Sequence, residues 1–461
     1  MKIWNLLWGC LAATLFTLHI NAQEVQGFVH KRSTGYEWPA DPQVLAKLDK
    51  WQDQKFGVLF HWGLYSVPGI VESWSICSED EEWIPRRTDM TYEAYKKWYY
   101  SLKDSLNPTL FDPDKWAEIM QDAGMKYMLF TTKHHDGFCT FDSKYTDFSI
   151  ANGPFRNDPR KDFARHVFDA FRQKDFMIGC YFSKPDWHSE WFWNPYFATP
   201  NRRQNYKKER HPDWWKKYQE FTYNQLEELM TNYGRFDILW LDGGWVKGED
   251  IGLDRLLATV RASSQPGLIS VDRTIRGKNE NYQTPERSIP ETQLDHPWES
   301  CITLSNDWGW VPDAPYKSAA KVIALLTEVT AKGGCLLLGV GPTAQGTIED
   351  TVAERLHTVG EWLRANGKAI YNTRTTPVYH DGNVWFTADK DGKTLYAVYA
   401  LPEGESLPET IEWSGNIPAG KITMLKGNKN VKYTCKDGRV RISLPKGISN
   451  EPLAFRFTLK Q

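Results

Sequence analysis

Between residues 56 and 340, short apolar runs alternate with longer amphipathic ones. Six of the short runs are almost continuously apolar, which is typical of strands buried on both faces of a parallel sheet: FGVLF (56–60), YMLFTT (127–132), FMIGCYF (176–182), FDILWL (236–241), GLISV (267–271) and CLLLGV (335–340). The amphipathic segments between them predict helices near residues 114–123, 162–174, 213–230, 254–263 and 318–332.

This alternation predicts an α/β fold, and roughly 300 residues with six clear strands fit a (β/α)8-like, TIM-type barrel. Two further strands would then be hidden in the pattern. A doubly wound open sheet is the alternative. No glycine-rich nucleotide-binding fingerprint follows the first strand, which counts against that alternative.

The pattern changes after about residue 375. The segments VWFTADKDGKTLYAVYAL and YTCKDGRVRISL alternate apolar and polar residues around Asp-Gly pairs at 391–392 and 437–438. An Asp-Gly pair between alternating runs is a strong hairpin signal. We therefore expect a catalytic barrel over residues 23–372 and a C-terminal antiparallel β-sandwich over residues 373–461.

The first residues have the pattern of an export signal. Lys2 precedes an almost entirely apolar stretch from residue 3 to residue 18, and small residues follow up to Ala22. This stretch is short for a membrane span, so residues 1–22 are expected to be a signal peptide. The mature protein would then be periplasmic or extracellular.

Polar, titratable side chains recur where the predicted strands end. His61 follows the first strand, His134 and His135 follow the second, Asp242 follows the fourth and Arg273 follows the fifth. The carboxyl ends of parallel barrel strands converge on one face, where active sites are built. Polar groups after so many strands, interleaved with tryptophans, therefore predict a pocket at that face.

The chain holds candidates for a pair of catalytic carboxylates, the minimum equipment for glycoside cleavage. Asp242 leaves a buried strand and precedes two glycines, which makes it the sharpest candidate. The second carboxylate stays open from the residues alone, because Glu286, Glu291 and Glu299 all lie on the long segment after the fifth strand.

Composition narrows the class of ligand. The formal net charge of −2 and the lack of basic clusters give no reason to expect nucleic acid. Aromatic residues make up 14% of the chain and include 22 Trp. Their flat apolar faces can stack on sugar rings, and ordinary core packing is the alternative explanation. The cysteines after the predicted signal are scattered, without a CxxC pair or metal-ligand spacing.

Eight segments carry a resemblance to a known family: KFGVLFHWGLYSVP, EEWIPR, AGMKYMLFTTKHHDGF, DILWLDGGW, TPE, WESC, WGW and GGCLLLGVGPTAQGTI, which span most of residues 45 to 370. With these segments the chain resembles the α-L-fucosidases of glycoside hydrolase family 29. The resemblance implies a catalytic barrel followed by a β-sandwich, and retaining hydrolysis of α-L-fucosides through a covalent intermediate. It implies fucosylated glycans as substrates and neither a cofactor nor a metal.

The resemblance also implies roles for single residues. Asp242 matches the family's nucleophile. Glu286, in the TPE motif, is the first choice for the acid/base, and Glu299, in the WE motif, is the second choice. The expected sugar-binding residues are His61, Glu82, Trp83, His134, His135, Tyr181, Trp240, Arg273 and Trp308. Glu72 and Trp74 of the nearby ESW segment are an alternative to Glu82 and Trp83.

Two rival functions remain at this stage. A metal-dependent hydrolase would use the same ligand types, namely His61, His134, His135 and Asp242. Against it, the first strand is not followed by an H-x-H motif, and adjacent histidines on an extended strand would point to opposite faces. A catalytically inactive sugar-binding protein is the other rival. No membrane span is expected after the signal, and the oligomeric state stays open.

Overall fold

The computed structural model describes residues 35–79, 84 and 89–459. The predicted signal peptide, and Glu82 and Trp83 among the expected sugar-binding residues, lie outside these described residues.

A sheet of seven parallel strands forms the centre of the larger part of the chain. The strands are β1 (Phe56–Phe60), β2 (Tyr127–Lys133), β3 (Met177–Ser183), β4 (Ile238–Asp242), β5 (Ile269–Asp272), β6 (Glu299–Thr303) and β7 (Cys335–Val340). Their order in the sheet is β5-β4-β3-β2-β1-β7-β6, with parallel pairing throughout. Every residue of these strands is buried, as expected for a parallel sheet covered on both faces.

An irregular segment, residues 279–287, bridges the gap between β5 and β6. The amide of Asn281 donates to the carbonyl of Ser270 in β5 at 2.9 Å, and the amide of Arg287 donates to the carbonyl of Cys301 in β6 at 2.8 Å. The sheet therefore closes into the expected barrel. The two strands hidden in the sequence pattern correspond to β6 and to this segment, which is mostly polar and pairs only through isolated bridges.

Eight α-helices are found in the described part of the chain: α1 (Pro42–Gln54), α2 (Tyr92–Ser101), α3 (Pro113–Asp122), α4 (Phe163–Arg172), α5 (Pro212–Asn232), α6 (Leu253–Ala262), α7 (Ala319–Ala331) and α8 (Asp350–Asn366). The five predicted helices are α3 to α7. Asp112, Asp162 and Ser318 cap α3, α4 and α7 by accepting backbone N–H bonds. Helices α1 and α2 bury only two or three side chains each, so their apolar stripe is weak.

The last part of the chain is an antiparallel β structure: β8 (Thr373–Arg374), β9 (His380–Asp381), β10 (Val384–Asp389), β11 (Thr394–Tyr399), β12 (Thr410–Ser414), β13 (Ile422–Met424), β14 (Lys429–Lys436), β15 (Arg439–Ser443) and β16 (Leu453–Thr458). The order is β12-β15-β14-β13-β16-β11-β10-β8, and β9 pairs with β10. The predicted Asp-Gly turns join β10 to β11 and β14 to β15. Phe386 of β10 and Trp413 of β12 pack with ring centroids 5.8 Å apart, so the two ends of the sheet share one core.

The barrel and the antiparallel part are in contact. The indole N–H of Trp362 in α8 donates to the carbonyl of Pro452 at 2.8 Å, and Arg374 pairs with Asp53 of α1 at 2.7 Å. We propose residue 372 as the domain boundary, since β8 is the first strand of the second sheet. Cys77, Cys139, Cys180, Cys301, Cys335 and Cys435 are free thiols. Within the described residues, no helix combines the length and the apolar character that crossing a membrane requires.

Candidate active site

The strand ends bring the predicted polar side chains to one face of the barrel. His61 follows β1 directly, His134 and His135 follow β2, and Arg273 follows β5. In register, Ser183 at the end of β3 lies beside Asp242 at the end of β4. These groups therefore meet at the carboxyl ends of the strands, which is the catalytic face of this barrel type.

Both carboxylate oxygens of Asp242 are held by neighbouring side chains. The hydroxyl of Tyr181 donates to Oδ2 at 2.7 Å, and Nη1 of Arg273 donates to Oδ1 at 2.8 Å. Nε2 of His135 lies 3.6 Å from Oδ2. Asp242 is 6% exposed. Charge-assisted bonds of this kind fix the plane of the carboxylate.

Arg273 also binds a second carboxylate. Its Nη2 donates to Oε2 of Glu286 at 2.9 Å, and the indole N–H of Trp308 donates to Oε1 of Glu286 at 3.2 Å. Glu286 belongs to the irregular segment between β5 and β6. One planar guanidinium therefore joins Asp242 and Glu286, each on its own terminal nitrogen.

Two further residues hold the guanidinium of Arg273 in place. Its centre lies 4.3 Å from the ring of Trp240, and Nε donates to Oγ1 of Thr284 at 3.1 Å. Burial alone would lower the pKa of Arg273, but the carboxylates of Asp242 and Glu286 raise it above its usual value. The group stays cationic at every working pH.

Two of the pocket histidines are neutral near pH 7. Burial lowers the pKa of His134 to about 4 and that of His61 well below its usual value. The Nδ1 atom of His134 shares a hydrogen bond with Oγ of Ser73. Nδ1 of His61 is buried and finds no hydrogen-bond partner among the described residues. Neutral imidazoles can both donate and accept, which suits pairs of sugar hydroxyls.

The expectation that His134 and His135 point to opposite faces is wrong. Their ring centroids are 4.5 Å apart, and the two rings are inclined by 44°. Strand β2 ends at Lys133, and the chain turns through residues 134–137, where Gly137 has a φ of 82°. Because the strand alternation stops at Lys133, both imidazoles face the same pocket.

Three tryptophans surround His135, and the assignment of site residues from sequence did not include them as a group. The ring centroid of His135 lies 5.3 Å from that of Trp74 and 5.0 Å from those of Trp187 and Trp245. Trp187 and Trp245 follow strands β3 and β4 closely. Their position after strand ends was the signal that could have identified them.

Glu72 supports the pocket through the backbone. Its Oε1 accepts the amide N–H of Trp308 at 2.6 Å and that of Gly309 at 2.8 Å. Burial raises the pKa of Glu72 to about 7. The ESW segment thus contributes a carboxylate that holds the Trp308 loop, and Trp74, whose ring contacts His135.

The other two candidate acids lie elsewhere. Glu291 is exposed. Glu299 is fully buried at the start of β6, where it accepts hydrogen bonds from Tyr127 at 2.8 Å, Trp240 at 3.2 Å and Tyr282 at 3.4 Å. Burial raises the pKa of Glu299 to about 7. The Glu299 carboxylate accepts from the indole N–H of Trp240, and the ring of the same tryptophan contacts the guanidinium of Arg273.

His134, His135 and Asp242 offer ligand atoms within 4.8 Å of one another, which is compact enough for a metal ion. Both oxygens of Asp242 already accept hydrogen bonds, and the cation of Arg273 lies 2.8 Å from one of them. A second cation at this carboxylate would be repelled. The arrangement therefore favours a hydrogen-bonded sugar over a metal ion.

Comparison with known proteins gives the family to which the chain is similar. A family model described as Alpha-L-fucosidase matches residues 24–368. The plasma alpha-L-fucosidase of Homo sapiens is 30% identical over 371 residues, covering 77% of this chain and 76% of the relative. The tissue alpha-L-fucosidase of Mus musculus is 29% identical, covering 90% and 91%.

Solved structures show the same fold. Alpha-L-fucosidase isoenzyme 1 from Paenibacillus thiaminolyticus superposes with a TM-score of 0.74 at 28% identity, covering 91% of this chain and all of the other. A trapped covalent intermediate of a family 29 alpha-L-fucosidase from Bacteroides thetaiotaomicron gives a TM-score of 0.73 at 25% identity, covering 93% and 98%. The chain belongs to the α-L-fucosidase family, glycoside hydrolase family 29.

Proposed function

We propose that this chain hydrolyses α-L-fucosides of glycans with retention of configuration, with Asp242 as nucleophile and Glu286 as acid/base. The observation that carries the proposal is the single guanidinium of Arg273, which binds both carboxylates in one buried pocket. Two carboxylates on neighbouring nitrogens of one planar group are close together, as a retaining pair about 5–5.5 Å apart must be.

In the first step, the ionised Asp242 attacks the anomeric carbon while Glu286 gives its proton to the leaving oxygen. In the second step, Glu286 takes a proton from water, which attacks the same carbon and releases Asp242. Tyr181 and Arg273 keep the nucleophile in one orientation, because each donates to a different oxygen of its carboxylate.

The sugar hydroxyls would be bound by His61, His134 and His135. The neutral imidazoles of His61 and His134 supply donors and acceptors without adding charge to a site that must stabilise a positive sugar in the transition state. Trp308 contributes an apolar face beside His61, with ring centroids 5.4 Å apart. Such a face suits the methyl group of fucose and the apolar side of its ring.

Glu286 is preferred to Glu299 as the acid/base because of the partners of each. Glu286 shares Arg273 with Asp242 and is partly exposed, so a leaving group and water can reach it. The Glu299 carboxylate accepts from three aromatic side chains at the start of β6 and has no exposed surface. We assign Glu299 a structural role.

Export is a further part of the proposal. It rests on the signal-like pattern of residues 1–22. Several relatives carry the name plasma alpha-L-fucosidase, which agrees with a protein that leaves the cytoplasm.

Active-site variants test the mechanism on 4-nitrophenyl α-L-fucoside. We expect Asp242→Asn to remove turnover while the protein stays folded. Glu286→Ala should lower turnover and recover it when azide is added, because azide attacks the fucosyl-enzyme without a general base, displaces Asp242 and leaves as fucosyl azide. Glu291→Ala, which removes an exposed carboxylate from the same connection between β5 and β6, is the matched control and should keep the wild-type rate.

Near-normal turnover in Asp242→Asn would remove Asp242 as nucleophile. Wild-type rates in Glu286→Ala, together with azide rescue of Glu299→Ala, would show that Glu299 and not Glu286 is the acid/base. A wild-type protein that binds fucose and releases no 4-nitrophenol would be the inactive sugar-binding protein instead.

A further inference from the structure

A second cavity opens on the same face of the barrel, next to the catalytic pocket. It has a volume of about 450 Å³ and lies between α2 and the loop that joins β3 to α5. Its lining combines aromatic rings with charged side chains, chiefly Glu93, Lys96, Tyr100, Trp187, Glu190 and Trp193. We call it the Trp187 cleft.

The aromatic part of the cleft is rigid. The indoles of Trp187 and Trp193 stack with centroids 4.9 Å apart and planes inclined by only 5°. Their N–H groups donate to the carbonyls of Arg202 at 3.1 Å and Arg203 at 2.9 Å. With both faces and both donors fixed, these rings lose little entropy when a ligand binds.

One of these rings is shared with the catalytic pocket. Trp187 lies 5.0 Å from His135, so it forms part of the wall behind that imidazole. The same side chain is part of the lining of the Trp187 cleft, where its ring is stacked on that of Trp193. A ligand in the cleft would therefore lie one side chain away from the residues proposed to bind fucose.

The rim of the cleft exposes two further aromatic rings. Tyr196 is 86% exposed and Phe197 is 42% exposed. Their loop is ordered by hydrogen bonds, since the amide of Tyr196 donates to Oδ1 of Asn194 at 3.1 Å and Asn205 donates to the carbonyl of Phe197 at 3.0 Å. Adjacent exposed rings on an ordered loop are typical of a binding surface.

The charges around the cleft indicate the kind of ligand. Glu93 and Glu190 are carboxylates, and Lys96 lies 3.3 Å from Glu93. Among the lining residues that the structure describes, carboxylates therefore outnumber cationic side chains. The exposed rings of Tyr196 and Phe197, beside a few polar groups, suit pyranose rings. The excess of carboxylates disfavours sialylated or sulfated sugars.

We propose that the Trp187 cleft binds neutral sugar units of the glycan to which fucose is attached. This inference rests on the proposed fucosidase function, because it identifies the cleft as a subsite for the leaving group. A volume of about 450 Å³ is in the range of small-molecule sites and accommodates one or two pyranose rings.

The test compares two substrates in the double variant Tyr196→Ala/Phe197→Ala. One substrate is 4-nitrophenyl α-L-fucoside, whose leaving group contains no sugar unit. The other is a fucosyl-terminated hexasaccharide of galactose and N-acetylglucosamine. We expect KM for the hexasaccharide to rise about fivefold to tenfold, the effect of losing aromatic contacts, with kcat/KM for the aryl fucoside unchanged within about twofold.

Trp38→Ala is the matched control, because Trp38 is an exposed aromatic residue, 57% exposed, outside the cleft. It should leave both substrates unaffected. An unchanged KM for the hexasaccharide in the double variant would overturn the proposal. Equal losses on both substrates would also overturn it, because they would show an effect on the fold or the chemistry.

A binding measurement separates this inference from the proposed function. The defucosylated pentasaccharide should bind the wild-type enzyme in saturation-transfer NMR, and the double variant should lose that signal. A sialylated analogue should bind more weakly. Failure to cleave any fucoside would refute the proposed function, whereas equal pentasaccharide binding by wild type and double variant would refute the cleft.

Discussion

Replacing Glu299 with glutamine tests whether this carboxyl is structural. In the wild type, its oxygens accept from Tyr127 at 2.8 Å and from Trp240 at 3.2 Å. Glutamine keeps the shape of the protonated acid, with a carbonyl for Trp240 and an amide that can donate to the tyrosine oxygen. Alanine would instead leave several buried donors unpaired, at about 1–3 kcal/mol each, and is the less informative change.

The expected effect depends on pH, and its sign follows from the raised pKa. Burial raises the pKa of Glu299 from 4.5 to about 7 in the folded protein. As pH rises from 4.5 to 7, the unfolded chain loses the proton while the folded chain keeps it, so the free energy of unfolding falls. A difference of about 2.5 pKa units corresponds to about 3 kcal/mol. The glutamine variant has no such group and should escape this loss.

Urea unfolding of wild type and Glu299→Gln at pH 4.5 and pH 8 measures the effect. The free energy of unfolding of the variant should gain about 3 kcal/mol relative to wild type between these two values. Turnover of 4-nitrophenyl α-L-fucoside should stay within about tenfold of wild type at pH 6, without azide rescue. A constant difference between the two proteins across this pH range would refute the burial argument. A rescuable loss of turnover would make Glu299 the acid.

Three further residues and one treatment give separate predictions. Arg273→Lys keeps the charge but loses the fork that spans both carboxylates, so kcat for the aryl fucoside should fall about 100-fold; a rate near wild type would contradict the bridging role. Glu72→Ala leaves the amides of Trp308 and Gly309 without their acceptor and should lower the free energy of unfolding by about 2–4 kcal/mol in the same urea assay. Glu72→Gln keeps an acceptor, so its free energy of unfolding should stay close to that of the wild type. Because the pKa of His134 is lowered to about 4, titration of His134 should not change KM between pH 8 and pH 5 and should raise it below about pH 4. An inflection of KM near pH 6.5 that is lost in His134→Gln would contradict this. Prolonged dialysis against a chelator should leave kcat unchanged, and activity that returns only with added divalent metal would support the metal-dependent rival.

The sequence predicted the barrel because its regular strands are apolar and separated by amphipathic helices. It did not reveal β6, which starts with Glu299 and Ser300, or the segment that closes the barrel beside it. Polar residues are buried at these places because other side chains and backbone groups satisfy them. Apolar periodicity carries no information about such partners, so strands of this kind are not visible in it.

For the candidate site, too, residues on regular strands could be predicted from sequence and residues on irregular segments could not. Asp242 could be singled out because it ends a regular apolar strand, and a strand end has a predictable location in a barrel. Glu286 could not be separated from Glu291 and Glu299 by pattern, since all three lie on the long, mostly polar stretch of sequence that follows β5. Their assignment needed partners in space: Arg273 for Glu286, aromatic donors for Glu299 and solvent for Glu291.

The position of Glu286 depends on two loops that meet at one side chain. The irregular segment supplies the carboxylate, and the loop after β6 supplies Trp308, whose indole donates to it at 3.2 Å. Glu72 in turn holds the backbone of that loop at 2.6 Å. Asp242, the proposed nucleophile, does not depend on these two loops, because it is the last residue of strand β4. A loop change in a relative could therefore move the acid without disturbing Asp242, provided that Arg273 still spans the two groups.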